Sequence, residues 1–260
     1  MTNASSPPVL RPDWSAPVGA LCSTRAGGVS TAPWAGLNLG DAVGDDPAAV
    51  AENRRRFASW LEGARPVWMR QVHGTRVLHL TPSEPHDLDA EPPEADAAWT
   101  DARGLACVVQ VADCMPVLLA AADGRAVAAA HAGWRGLAAG VLESTLAALR
   151  EGAGVPPSQV DAWIGPCIGP RRFEVGPDVL AALGEHAPSG TRSAFLSRPR
   201  PDGSPRWLAD LPALARARLQ AAGARSIAGG AWCTADDGSR FFSYRRDGVT
   251  GRMAAAVWRR

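Results

Sequence analysis

The stretch spanning residues 107–136 constrains the fold more than any other part of the chain. It holds three short apolar runs, and two of them end in side chains that bind metals or attack electrophiles. Residues 107–111 lead into Ala112-Asp113-Cys114. Residues 115–122 close on Asp123-Gly124. Residues 126–130 run into His131, and Gly133-Trp134-Arg135-Gly136 then turns the chain. Runs this short, bounded by turn residues, predict buried strands, and Asp-Gly between two of them predicts a hairpin. The pattern puts Cys114 and His131 on neighbouring pieces of one sheet. A thiol and an imidazole so placed serve either as metal ligands or as a nucleophile and its base.

The rest of the chain supplies more strands than helices. Strands are expected over 18–23, 66–72, 77–80, 95–100, 161–164, 226–228, 240–245 and 252–258 from their apolar runs. Asp46 as N-cap with Pro47 behind it opens a helix that runs to Gly63. Apolar residues at helical spacing predict a second helix over 137–150. Shorter helices are expected over 177–183 and 211–222. The string from Gly165 to Pro170 forbids regular structure and predicts a rigid loop, while 81–93 and 188–205 read as surface loops. Residues 1–15 are expected to form a loose arm and 16–260 one domain. Hairpins mixed with crossovers predict a mixed sheet in an α/β protein.

Composition narrows the function classes. The 27 basic and 26 acidic residues leave a net charge of +1, without the basic excess of a nucleic-acid binder. Every basic residue among the 27 is Arg. Schiff-base chemistry and a P-loop lysine are therefore excluded, and Arg must handle any phosphate or carboxylate. No apolar run approaches the length of a membrane span, and no basic stretch precedes an apolar core at the start, so a secretory leader is not expected. Five scattered Cys read as reduced thiols of a cytoplasmic protein.

Of the five His, His86 and His186 fall in polar loops and His79 lies on a strand. His73 and His131 share a context: each follows an apolar run and precedes a glycine turn. Cys114 is placed similarly, just before Pro116. Two imidazoles and one thiolate satisfy the count of a catalytic zinc site, which keeps a fourth position open. The spacing carries no HExxH or CxxC signature, so a free-thiol site stays open on these residues alone. Gly27-Gly28 behind Arg25 marks backbone that can approach a ligand closely.

The motifs QVHG at Gln71, ADC at Ala112 and HAGWRG at His131, in this order, resemble the bacterial laccase-domain family. That family is also called polyphenol oxidase-like, purine nucleoside phosphorylase-like, or peptidoglycan editing factor. The similarity extends to STRAGGVS at Ser23, LNLG at Leu37, ENRRR at Glu52, ADAAWT at Ala95, GPCIGP at Gly165, FEVG at Phe173 and FFSYRRD at Phe241. It thus covers nearly the whole chain.

The resemblance implies a layered α/β/β/α arrangement with a mixed sheet. It implies that His73, Cys114 and His131 ligate a metal, zinc or else copper. The implied activities are phosphorolysis of adenosine, inosine and S-methyl-5′-thioadenosine, and deamination of adenosine. Cys114 and His131 would then be catalytic, with Asp113 as proton carrier. Arg25 and Arg135 would bind phosphate, and Asn38 and Gln71 would hold the nucleoside or the metal's water. Purine nucleosides and phosphate are the expected partners, with no nucleic acid or membrane and a monomer as the default.

Two rival readings use the same residues. Cys114 as nucleophile with His131 as base would make an amidase, which under the editing name removes L-Ser from a UDP-linked muramyl precursor. A metal-binding protein without catalysis is the other. A copper-dependent polyphenol oxidase of the multicopper kind is disfavoured, because five His cannot furnish several copper centres.

Overall fold

The computed structural model describes residues 8–82, 91–184 and 194–260. Among these residues the chain forms two large sheets, a small one and six α-helices. The first large sheet contains β1 (Val9–Leu10), β2 (Val18–Ser23), β3 (Arg65–Val67), β6 (Leu105–Val111) and β14 (Met253–Arg259), in the order β1-β2-β14-β6-β3. The second contains β4 (Val77–His79), β5 (Ala97–Thr100), β7 (Met115–Ala121), β8 (Val127–Ala132), β9 (Val160–Ile164) and β13 (Ser226–Gly229), in the order β13-β9-β7-β8-β5-β4. Three short strands, β10 (Glu174–Val175), β11 (Phe195–Ser197) and β12 (Trp207–Ala209), make the third. The helices are α1 (Pro47–Ser59), α2 (Trp134–Ala139), α3 (Val141–Ala153), α4 (Pro177–Gly184), α5 (Leu211–Ala221) and α6 (Tyr244–Asp247).

Strand alternation builds the layers. On β6, Cys107 and Val109 face one way and Ala106 and Val108 the other. Cys107 and Val109 join Ala255 and Val257 of β14 and Leu118, Ala120, Val127 and Ala129 of the second sheet in one core between the two sheets. Ala106, Val108, Ala254 and Trp258 instead pack against Phe57 of α1 and the nearby Leu61. On the far side of the second sheet, Val117, Leu119, Ala128 and Ala130 meet Leu142, Leu146 and Leu149 of α3 and Leu214 and Leu219 of α5. The result is the layered α/β/β/α order with mixed strand directions: β4 runs parallel to β5, while β5, β8, β7 and β9 are successively antiparallel neighbours.

The hairpin expected at Asp123-Gly124 joins β7 to β8, and its register sets Pro116 opposite His131. Asp46 caps α1 as read, accepting a hydrogen bond from Ala48 N at 3.0 Å. Val9–Leu10, read as part of a loose arm, pair with β2 as an edge strand.

Four expectations are corrected. The helix over 137–150 is two helices, because Gly140 takes φ 97° and its N–H closes the end of α2 on Gly136 and Leu137 carbonyls. The strand over 66–72 stops at Val67. Beyond it, the Gln71 side-chain amide takes over the pairing, donating to Gln110 O at 2.9 Å and accepting from Gln110 N at 2.7 Å. The strand over 240–245 does not form; Asp237 Oδ1 accepts from Arg240 N at 3.1 Å, and Ser243 caps α6 by accepting from Arg246 N at 3.2 Å. The loop over 188–205 contains β11 at Phe195–Ser197. His86 and His186 lie outside the described residues.

Candidate metal centre

Three chain segments bring the donors together. Cys114 sits in the turn between β6 and β7. That turn is fixed by Asp113, which takes the left-handed φ of 95°. Its main-chain oxygen accepts from Ile168 N at 2.9 Å. Its carboxylate accepts from Thr234 Oγ1 at 2.6 Å and from Arg245 N, also at 2.6 Å. Two distant loops are thereby pinned to the turn that presents the thiol. His131 lies on β8, two residues beyond Ala129 on the same strand face, and is 3% exposed. His73 is the exposed member, on the loop after β3, with φ 61°.

One donor atom from each of His73, Cys114 and His131 lies within 4.8 Å of the others. The imidazole rings of the two His are 4.8 Å apart, at 75° to one another. Cys114 Sγ and His73 Nε2 are separated by 3.7 Å. Zinc bonds of about 2.3 Å to sulfur and about 2.0 Å to nitrogen at a tetrahedral angle put the two donors about 3.5 Å apart. The trio fits a zinc-sized ion on donor type and on spacing. Among the described residues it is the only group of three or more such side chains that converges in this way.

Asp96, which sequence reading passed over, organises two of the three ligands. Its carboxylate is completely buried. Oδ1 accepts from His73 N at 2.9 Å and lies 2.8 Å from His131 Nδ1. Oδ2 accepts from Val72 N at 3.1 Å and Gly74 N at 2.7 Å. Three successive amides converging on one carboxylate hold His73 in its strained backbone region. With the ionised carboxylate as acceptor, the proton of His131 is on Nδ1, and Nε2 is free as a ligand.

The electrostatics follow from these contacts. Burial raises the Cys114 pKa, but the facing His131 and His73 outweigh it and bring the thiol down to about 6. Burial opposes the charge on His131, yet the Cys114 thiolate and Asp96 together lift it to about 9. Burial likewise works against the Asp96 carboxylate, and the hydrogen bonds from His131 and Gly74 more than compensate, leaving its pKa lowered. Without a metal the centre is a thiolate–imidazolium pair backed by a carboxylate.

The trio opens into a cavity of about 840 Å³ whose walls include Gln71, Asp113, Arg135, Tyr244, Arg245 and Arg252. Gly133 lets the donors meet: a Cβ there would stand 2.8 Å from His73 Cδ2 and 3.0 Å from Cys114 Sγ.

The other residues singled out from sequence are placed as follows. Arg135 lines the cavity with its guanidinium 4.3 Å over the Trp134 ring, and it pairs with no carboxylate among the described residues. Gln71 also lines it, while its amide clamps β6. Arg25 is engaged elsewhere, donating to Gly238 O at 2.9 Å and lying over Phe242. The adjacent Gly28 is needed because a Cβ would collide with Gly36 O at 2.2 Å, so the glycine pair approaches the protein's own backbone. Asn38 is fully buried; its Oδ1 accepts from Gly40 N at 3.0 Å and Arg252 N at 2.8 Å. Asp96 and the cavity-lining Arg252 are positions that sequence reading did not single out. A carboxylate inside an apolar strand segment was the signal available for the first.

Fold and site together define a layered α/β/β/α protein with, among its described residues, one two-imidazole, one-thiolate centre at the wall of a cavity. Residues 19–260 match the family model described as multi-copper polyphenol oxidoreductase laccase, and the chain belongs to that family. A purine nucleoside phosphorylase of Pseudomonas aeruginosa is 50% identical over 252 residues, covering 96% of this chain and 97% of its own length. Purine nucleoside phosphorylase YfiH of Escherichia coli is 46% identical, covering 96% and 98%. Among solved structures, protein NMB0706 of Neisseria meningitidis superposes with a TM-score of 0.86 at 43% identity, covering 97% of this chain and 99% of its own. YlmD of Geobacillus stearothermophilus gives 0.88 at 34%, covering 99% and 98%.

Proposed function

We propose that the chain is a zinc-dependent purine nucleoside phosphorylase acting on adenosine, inosine and S-methyl-5′-thioadenosine, with adenosine deamination at the same centre. The observation that carries this reading is the convergence of His73, Cys114 and His131 within 4.8 Å, on the wall of a cavity that also holds the carboxylate-free Arg135. The names of the relatives supply the nucleoside and phosphate.

A bound zinc ion would act as a Lewis acid toward water or a phosphate oxygen. The protein's own groups do the rest. In phosphorolysis a phosphate oxygen forms a bond to the ribose C1′ as the C1′–N9 bond breaks, and the base leaves with the electron pair and takes up a proton. Arg135 neutralises the phosphate. In deamination water attacks C6 and ammonia leaves. Asp113, beside Cys114, carries the protons; each of its oxygens accepts one hydrogen bond from the protein and retains a further lone pair. Asp96 holds the tautomer of His131 and the position of His73. Arg25 and Asn38, read from sequence as ligand contacts, support the cavity from outside its lining in this mechanism. We place the enzyme in the cytoplasm, as a monomer.

The test is metal analysis of the purified protein with a phosphate-dependent assay of base release. Cys114→Ala is expected to lose zinc and turnover together. Retention of stoichiometric zinc by that variant removes Cys114 from the ligand set, and absence of phosphate-dependent base release by the native protein overturns the phosphorylase reading.

One observation favours a second reading. Asp96, His131 and Cys114 are ordered as the orienting carboxylate, base and nucleophile of a thiol amidase, the arrangement an L-Ser-removing editing enzyme would use. His73 separates the two. An amidase built on this triad keeps its turnover in His73→Ala and in the presence of a chelator, whereas the zinc enzyme loses turnover in both.

A further inference from the structure

The cavity carries more positive charge than its own carboxylates neutralise. Five arginines line it. Arg54 is paired with Asp41 at 3.0 Å, and Arg70 with Glu94 at 2.8 Å. Arg135, Arg245 and Arg252 have no carboxylate partner among the described residues. Arg245 is directed to β10, donating to Glu174 O at 3.0 Å and lying over Phe173. Arg252 is different. It is half-buried, and burial works against its charge. It lies near enough to Cys114, Asp113 and Tyr244 for their charges to act on it. Only Nη1 is used, donating to Thr250 O at 3.1 Å and Gly251 O at 3.2 Å. Nε and Nη2 make no hydrogen bond to the described residues.

The guanidinium is also held in place. Its Cβ and Cγ pack on Gly40, where an added Cβ would stand 2.7 Å from Arg252 Cγ. Its main-chain N–H is fixed by Asn38 Oδ1 at 2.8 Å. Asn38 in turn donates from Nδ2 to Asp45 Oδ2 at 2.8 Å, and its own carbonyl accepts from Asn53 Nδ2 at 2.9 Å. Asn38 and Asn53 are both fully buried. This buried, satisfied network fixes the main chain at Arg252, and with it the point from which the side chain reaches the cavity. The guanidinium thus lines the cavity with Nε and Nη2 unused by the described residues and no carboxylate at ion-pair distance, an arrangement suited to binding an anion.

We propose that Arg252 is a phosphate-binding residue of this cavity, acting with Arg135, and that Asn38 is a positioning residue which sets the Arg252 backbone. The assignment rests on the phosphorylase reading for the identity of the anion as inorganic phosphate. It goes beyond that reading in adding to Arg135 a residue remote in sequence from the ligand motifs.

The experiment uses the full-length, metal-loaded protein and two variants. Arg252→Met keeps the stem that packs on Gly40 and removes the charge. Arg252→Lys keeps the charge without the fork. Inorganic phosphate is titrated calorimetrically, and KM values for phosphate and for inosine are measured separately. Arg252→Met is expected to weaken phosphate binding and raise the phosphate KM by about tenfold or more, the loss of one or two charge-assisted hydrogen bonds. The inosine KM and the zinc content stay within about twofold, and Arg252→Lys recovers part of the loss. Asn38→Ala is expected to raise the phosphate KM while leaving the zinc content intact.

A native enzyme that phosphorolyses inosine while Arg252→Met keeps its phosphate KM overturns the subsite alone. A native protein without phosphorolysis that binds phosphate through Arg252 overturns the phosphorylase reading and leaves the subsite standing. A native protein that does neither overturns both. A zinc content that falls along with phosphate affinity in Arg252→Met, with no recovery in Arg252→Lys, assigns Arg252 to the fold instead.

Discussion

Asp96 carries the largest load of any single residue in the centre. One buried carboxylate accepts three backbone amides and faces His131 Nδ1. Removing it strands those donors and frees His73 from its left-handed backbone. Asp96→Ala is therefore expected to destabilise the fold by about 3 kcal/mol, as for other broken buried pairs, and to lower metal affinity about 10–100-fold. Urea unfolding and competitive metal titration measure the two effects, and an unchanged metal affinity would remove Asp96 from the centre. The thiols give a second prediction. In metal-stripped protein Cys114, held at about 6 by the two imidazoles, gains thiolate as pH rises through that value. Its alkylation by iodoacetamide should accelerate between about pH 5 and 7 and then level off, because only the thiolate reacts. Cys22, pushed up to about 12 by burial, and Cys107, raised by the same cause, stay unmodified, and added zinc protects Cys114. Peptide mapping after a pH series reads this directly; alkylation of Cys114 that begins only above pH 8 would contradict the charge pairing described. His73, Cys114 and His131 were legible in the sequence because each flanks an apolar run and a turn. Asp96 was not, because its partners are set by a strand register, Ala97 opposite Ala130, and by a loop conformation that composition does not encode.

At the scale of elements, the centre depends on a clearance between β8 and α2. Gly133 supplies it, since the space of a Cβ there is already taken by His73 and Cys114. Gly133→Ala is expected to push His73 away from the thiol and reduce metal affinity by about tenfold or more, the range seen when ligand orientation is lost. The midpoint of thermal unfolding in chelator should move little, because the clash falls on an exposed loop. A variant that binds zinc normally would show that the loop adjusts freely. The same elements mark where sequence reading worked and where it stopped. The strands of the two central sheets were legible, because their residues are apolar on both faces and their ends carry turn residues. The region over 66–72 read as strand because it opens on an apolar run, Pro66 to Met69. The Gln71 amide replaces the next rung of the ladder, a side-chain event invisible to periodicity. The region over 240–245 failed for a similar reason: Asp237 and Ser243 bind backbone amides and turn the chain. Of the two arginines read from sequence as phosphate candidates, Arg25 donates to Gly238 O and Ala35 O, and Arg135 lines the cavity.

At the scale of the whole molecule, the first large sheet is closed by β14, which pairs with β2 on one side and β6 on the other. Its inward residues Ala255 and Val257 belong to the core between the sheets, and Ala254, Ala256 and Trp258 to the core under α1. Deleting residues 253–260 removes a central strand from both cores. The truncated chain is expected to lose its near-ultraviolet circular dichroism and its cooperative unfolding; a truncated protein that still melts cooperatively would show that β2 and β6 can close on one another. Pairing Cys22 with Ala255 spans nearly the whole chain, and such long-range topology folds slowly. During translation, at about 5–20 residues per second, β2 therefore waits on the order of 10–50 s for its neighbour. All six of its residues are buried in the finished protein. Until residues 253–259 are made, the nascent polypeptide thus carries β2 as a sticky ribbon with one edge unpaired, and that interval is when shielding of the ribbon matters most.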